Sequence, residues 1–163
     1  MDERQTVYLE TTIPSFLTAR PSNNLIIAGK QQVTREWWQF RRKRYELYVS
    51  ELVVQESERG DGDVARRRLA AIEDIPLLAI DEKVIYLTER IIESNILPPR
   101  AAVDAGHIAV ASRHGVDYLM TWNCTHIANA EIVRRTSFVV SQAGYCLPVI
   151  CTPDELFGGQ END

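Results

Sequence analysis

Four residues bring oxygen chemistry to places where a fold could gather them: Glu10, Glu56, Asp104 and Asn123. Glu10 closes a β-forming run, TVYLE. Glu56 lies about a turn and a half into the helical stretch ELVVQESE, on a face shared with Leu52 and Val53. Asp104 sits early in the helical pattern AAVDAGHIAVASR, and its face continues through Ile108 and Ala111. Asn123 follows the uncharged run YLMT. Carboxylate and amide oxygens in small number, with water completing the shell, are what a hard divalent cation requires. An acid on an apolar helical face needs a partner, because burying an unpaired charge is costly. Glu51, in a first helical turn, reads instead as a surface acid favoured by the helix dipole. Asp117 reads as part of the turn before a strand. His107 reads as a histidine satisfied in the core or supporting a ligand, not as a ligand itself.

Other site chemistries find little support. The chain has no GxxxxGK[ST] loop and no GxGxxG fingerprint for nucleotide phosphates. It has no HExxH pair and no GxSxG elbow. Cys124, His126, Cys146 and Cys151 have a spacing that matches no standard zinc site.

The elements that must position the four residues follow from periodicity and capping. Strands are expected at 6–10, 45–50, 76–80, 118–121 and 148–151. Between them the spacing predicts helices. One starts near Pro14. A long one is capped by Ser22 or Asn23 and runs to about Arg44, with Ile26, Ile27, Val33, Trp37 and Phe40 as its apolar positions. Ser50 and Asp63 are read as caps of the next two helices, and Asp81 as the cap of a helix with the apolar stripe Val84, Leu87, Ile91 and Ile92. Pro98-Pro99 stops any helix before it. A helix over about 100–113 ends near Gly115, and Asn129 caps a helix to about Ala143. Adjacent Trp37 and Trp38 cannot face the same way, so one core anchor and one partly exposed ring are expected. Strands alternating with helices five times imply an α/β fold, a three-layer sandwich around a five-stranded parallel sheet. In such a sheet ligands sit beyond the carboxyl ends of the strands, near the switch in strand order. Residues 1–157 read as one domain, and 158–163 as a frayed tail.

Composition sets the frame. The chain has 163 residues, 45% apolar and 25% charged, which is ordinary for a soluble globular protein. No apolar run is long enough to span a membrane, and the charged start MDERQTVYLE does not read as a signal peptide. Three cysteines with no CxxC pair suggest a reducing, cytoplasmic setting. The net charge of −5 does not indicate a generally basic nucleic-acid binder. Basic residues are nonetheless clustered at 41–44, 66–68 and 134–135, as a solvated surface or as a track for a polyanion beside an acidic pocket.

The segments VYLETTIPSFL, YVSELVVQE, AAVDAGHIAVASRHGVDYLMTWNCTHIAN and VICTPDEL together resemble the PIN-domain family, in particular the VapC-like toxins of bacterial type II toxin–antitoxin systems. The resemblance covers nearly the whole chain. It implies a PIN-like sheet with an acidic cleft that holds Mg²⁺ or Mn²⁺ and hydrolyses RNA phosphodiester bonds. On it, Glu10, Glu56 and Asp104 correspond to metal ligands, and Asn123 completes the catalytic set. Thr11, Thr12 or Ser15 would add hydroxyls near the first strand. Two positions depart from the family pattern: Glu10 stands where Asp is usual, and Asn123 where Asp is frequent. They raise the alternative of a weak or inactive PIN-fold module that binds RNA or a protein. A small-molecule phosphohydrolase is a further alternative, but it would place DxD where this chain has Glu10-Thr11-Thr12. The resemblance also implies a cognate antitoxin, for which an exposed Trp37 or Trp38 would suit a hydrophobic groove, and a homodimer to which the first long helix contributes.

Overall fold

The computed structural model describes residues 3–158. All but the first residue of the expected frayed tail lies outside them. Five strands form one all-parallel sheet: β1 (Thr6–Leu9), β2 (Glu46–Ser50), β3 (Leu77–Leu78), β4 (Tyr118–Met120) and β5 (Val149–Cys151), in the order β3-β2-β1-β4-β5. The expected α/β sandwich is what the chain forms. Seven α-helices connect the strands: α1 (Thr12–Thr18), α2 (Leu25–Phe40), α3 (Glu51–Ser57), α4 (Gly62–Ile72), α5 (Glu82–Glu93), α6 (Ala102–Arg113) and α7 (Ala130–Gln142). Contacts group α1 with α2 and α4, and α5 with α6 and α7, so helices cover both faces of the sheet.

β1 is the centre. Val7, Tyr8 and Leu9 are all fully buried, with no alternation of inside and outside, because both faces are covered. The chain moves from β1 through β2 to β3 on one side, then crosses to β4 and β5 on the other. Strand order therefore reverses between β1 and β4. Asp117 fixes the start of this pair. Its Oδ2 accepts from the Thr6 amide at 2.8 Å and the Thr6 hydroxyl at 3.0 Å, the turn role expected of it.

α6 is buried without interruption from Ala105 to Ser112. A helix buried all round has no single apolar stripe, and its small residues let neighbours come close. A Cβ on Gly106 would stand 2.8 Å from Leu52 Cδ1, so the Leu52 side chain of α3 packs against the space this glycine leaves.

Several boundaries and caps differ from the sequence reading. Asn24, not Ser22 or Asn23, caps α2, its Oδ1 accepting from the Ile26 and Ile27 amides. α2 stops at Phe40, and residues 42–44 form a 3₁₀ turn. Its presumed apolar face is largely outside: Ile26 is 73% and Phe40 65% exposed, while Gln31, Thr34 and Trp37 are buried. Trp37 is the core anchor and donates its indole N–H to the Leu156 carbonyl at 3.1 Å. Trp38 is partly buried under the Arg42 guanidinium. Trp37 is thus not available to a partner. Asp61 rather than Asp63 caps α4. β3 is only two residues long, since an edge strand pairs on one side and here only through the two pairs Val49–Leu77 and Ser50–Leu78. Asp81 and Asn129 cap α5 and α7 as expected.

No helix is long and apolar enough to cross a membrane among the described residues. The burial pattern gives a direct stability test. Leu119→Ala, at a fully buried site on β4, should cost about 2–5 kcal/mol. Leu25→Ala, at 88% exposure, should stay within roughly 0.5 kcal/mol. Urea unfolding of the two variants checks the difference.

Candidate acidic site at the carboxyl edge of the sheet

Glu10 follows β1 directly, and its amide continues the ladder to the Met120 carbonyl at 3.1 Å. That pairing carries its side chain to the crevice where strand order reverses. The carboxylate is 3% exposed. Oε2 accepts from the Thr12 hydroxyl at 2.7 Å and the Thr121 hydroxyl at 2.8 Å, and the Thr12 amide reaches both oxygens at 3.0–3.1 Å. The same two hydroxyls accept from the chain beyond β4: Thr12 Oγ1 from the Trp122 amide at 2.8 Å, Thr121 Oγ1 from the Asn123 amide at 2.9 Å. Glu10 is therefore tied to the loop carrying Asn123 through two threonines.

Glu56 comes from α3, which starts at the end of β2. Its Oε1 accepts from the Thr11 hydroxyl at 2.6 Å and meets His107 Nε2 at 2.5 Å. Its side chain is 25% exposed, whereas that of His107 is fully buried. Behind the ring, His107 Nδ1 lies 2.7 Å from the Tyr8 hydroxyl, which lies 2.7 Å from Ser50 Oγ. Ser50 occupies the cap position of α3 but makes no side-chain cap bond; its hydroxyl is turned to Tyr8 instead. Glu51 is exposed, as expected of a surface acid.

Asp104 stands in the first turn of α6, three residues before His107, so both project from one side of the helix. Its Oδ2 is 3.0 Å from His126 Nδ1. Asn123 organises the loop that presents His126. Its Oδ1 accepts from the His126 amide at 2.9 Å, and its carbonyl from the Ile127 and Ala128 amides at 3.2 and 2.8 Å.

All four predicted residues thus lie at the carboxyl edge of the sheet: Glu56 bonds to Thr11 and His107, while Glu10, through Thr121, and Asp104, through His126, are both linked to the loop of Asn123. Among the described residues, no three His, Cys, Asp or Glu side chains are grouped so as to hold a metal ion. The donor set itself is of the right kind, since carboxylate and amide oxygens suit a hard divalent cation. One oxygen of Glu56 and one of Asp104 have no hydrogen-bond partner among the described residues.

The electrostatics of the two glutamates diverge. Burial pushes the Glu10 carboxyl up, against the lowering influence of His107 and the bonds from Thr12 and Thr121. Burial also raises Glu56, but the His107 hydrogen bond and charge, Thr11 and Arg59 outweigh it and hold that carboxyl below its ordinary value. Burial raises the Tyr8 hydroxyl far above its ordinary value, so it stays protonated. The buried Cys151 thiol is pushed up to about 12 and is no thiolate nucleophile near neutrality. All three cysteines are free.

Thr11 and Thr12 contribute hydroxyls as anticipated, and Ser15 does not bond to the acids. Thr121, Tyr8 and the His126 ring escaped the sequence reading. Thr121 closes an apolar run and carries no local signal. The Tyr8 hydroxyl is a polar tip inside a strand, and only its spatial partners give it a role. A concavity of about 810 Å³ lies elsewhere, lined by Val54, Leu69, Ile72 and Leu77 with Arg66 and Arg67 at its side. The acids do not line it, and a site for a single ion does not require such a volume. The basic cluster at 41–44 precedes β2, at the opposite, amino edge of the sheet.

No protein-family model matches the chain, and no curated protein matches it.

A pH experiment follows from Glu10. Its pKa is higher folded than unfolded, so the stability linked to its proton is fully present below the unfolded value and is lost as pH rises through the folded value. Glu56, with a depressed pKa, runs the other way: its contribution is present above the unfolded value and lost as pH falls through the folded one. In chelator-treated protein, Glu10→Gln should raise the urea midpoint at pH 7. That gain should shrink as pH falls below the ordinary glutamate range. Denaturation series at pH 7 and pH 4 check the sign.

Proposed function

We propose that the protein is a metal-dependent ribonuclease of the PIN-like, VapC-like kind, hydrolysing RNA phosphodiester bonds at the carboxyl edge of the sheet. The observation that carries this reading is the burial of Glu10 at the strand-order reversal, with Glu56 of α3 and Asp104 of α6 at the same carboxyl edge of the sheet. A nearly buried carboxylate whose hydrogen-bond partners are hydroxyls and an amide, with no cationic side chain bound to it, is costly to maintain without a ligand of positive charge.

Glu10, Glu56 and Asp104 would hold Mg²⁺ or Mn²⁺. A divalent cation there supplies Lewis-acid neutralisation of charge on the scissile phosphate. The chain's own residues do the rest. Thr12 and Thr121 hold Glu10 from below. His107 and Thr11 fix Glu56, and the ionised state of Glu56 keeps an anionic donor available at neutral pH. Asn123 shapes the loop over Asp104 and brings one neutral amide to a place where a fourth acid would add charge. α1 begins at the site and leads towards a groove of about 360 Å³ whose lining includes Arg20 and Arg67 together with Asp61 and Asp63, so any phosphate contact there would come from the two guanidinium groups. Contacts of that kind make RNA binding salt-sensitive. A cytoplasmic setting, a cognate antitoxin and a homodimer belong to the same reading. The partly buried Trp38 and the exposed Leu25, Ile26 and Phe40 of α2 are the apolar surface on offer for protein contacts.

A second reading, a weak or inactive module that binds RNA or a protein, is favoured by one observation. Glu56 and Asp104 are each engaged by a histidine, and no three-ligand group stands ready.

Asp104→Asn should reduce Mg²⁺- or Mn²⁺-dependent cleavage of RNA by at least about 100-fold while leaving thermal unfolding near that of the wild type; losses of this size accompany removal of a group that stabilises charge in the transition state. Equal cleavage by wild type and Asp104→Asn, or cleavage that persists in excess chelator, refutes the assignment. Absence of Mn²⁺ binding by calorimetry at millimolar metal favours the binding module.

A further inference from the structure

Within the site just described, Glu56 is the acid with the least support of its own. It lies on a helix of seven residues and is the most exposed of the paired carboxylates. Its Oε1, however, receives two short bonds, from Thr11 Oγ1 and from His107 Nε2, and its Oε2 receives none among the described residues. An ionised carboxylate can only accept, so the proton between Glu56 and His107 belongs to Nε2.

The ring is in turn held from inside. Ser50, Tyr8 and His107 are all fully buried and joined in sequence, Ser50 Oγ to Tyr8 Oη to His107 Nδ1. A network that served packing alone would end on a buried acceptor. This one ends on a partly exposed carboxylate and leaves one of its oxygens open. It also includes the serine at the cap position of α3, whose hydroxyl bonds to Tyr8 and makes no cap bond.

We propose that His107 is a positioning residue for a divalent cation: steadied by Tyr8 and Ser50, it anchors Glu56 through Oε1 so that Oε2 is presented as a ligand. This rests on the metal-dependent reading of the site, and it assigns roles to His107, Tyr8 and Ser50 that the acids alone do not imply. His107 itself touches neither metal nor substrate. Hydrogen-bond partners behind a metal ligand orient it and tune its strength, and their loss typically weakens metal binding about 10–100-fold.

The test is calorimetric titration of the full chain with Mn²⁺, with far-ultraviolet dichroism and thermal unfolding recorded in chelator. The variants are His107→Leu, His107→Gln, Tyr8→Phe and, as a control on the site, Asp104→Asn. His107→Leu should weaken Mn²⁺ binding about 10–100-fold. His107→Gln, whose amide can still donate to Glu56, should recover most of that loss. Tyr8→Phe should weaken binding to a smaller extent with an unchanged fold. If Asp104→Asn loses Mn²⁺ while His107→Leu binds it as the wild type does, the positioning role is overturned and the metal site stands. Equal losses in His107→Leu and His107→Gln also overturn it, since the donor would then be irrelevant. If His107→Leu does not fold, Tyr8→Phe decides, and an unchanged Mn²⁺ affinity there refutes the proposal. If the wild type binds no Mn²⁺ at millimolar concentration, the metal-dependent reading falls and this inference falls with it.

Discussion

The hydrogen-bonded ladder that holds β1 between β2 and β4 sets the position of every residue discussed above. Tyr8 and Glu10 are two residues apart on one extended segment, and the pairing of Leu9 with Met120 fixes how far Glu10 projects past the sheet. A parallel pair cannot be closed by a tight turn, so β1 and β4 are joined by most of the chain. The crevice between their carboxyl ends is a by-product of that reversal. Thr121 meets Glu10 because both stand one residue beyond the last paired positions. A slip of one residue in this register would turn Tyr8 away from His107 and set Glu10 among apolar neighbours.

Two glutamates placed within reach of the same histidine are driven in opposite directions. Glu10 is deep, and burial dominates. Glu56 lies nearer the surface, and the His107 bond, Thr11 and Arg59 prevail over burial. Environments that separate the pKa values of neighbouring acids give them different tasks. The deep one favours a proton unless positive charge arrives, and the shallow one remains anionic. The ionised form of the deep one opposes stability locally, against the buried core around Leu9, Ile108 and Leu119.

The sequence carried the architecture well. Alternating short apolar runs and helical stretches were enough for a five-stranded parallel sheet, and chain order put Glu10, Glu56, Asp104 and Asn123 at one edge of it. Asp104 was legible because an acid on the face of Ile108 and Ala111 has to be paired. Glu56 was legible against Glu51 because it shares a face with Leu52 and Val53. What stayed hidden depends on distant partners. Ser50 has every local mark of a helix cap, yet Tyr8, 42 residues earlier, claims its hydroxyl. The apolar pattern of α2 suggested a core face, whereas the helix buries Gln31 and Thr34 and leaves Ile26 and Phe40 outside. Gln31 is satisfied by the Arg20 carbonyl and the Ser22 amide, which no periodicity reports.

The shortness of α3 has a dynamic consequence. Backbone amides of Val7–Leu9 sit in the middle of the sheet and those of α6 in continuous burial, so their exchange with solvent requires opening on the scale of the whole fold. α3 has seven residues and adjoins the turn at 58–61 that separates it from α4, so its amides have a route to exchange through local opening. Glu10 thus adjoins the centre of the sheet, whereas Glu56 is carried by this short helix. A ligand that bridged them would register as slowed exchange in α3, coupling occupancy of the crevice to order in that helix.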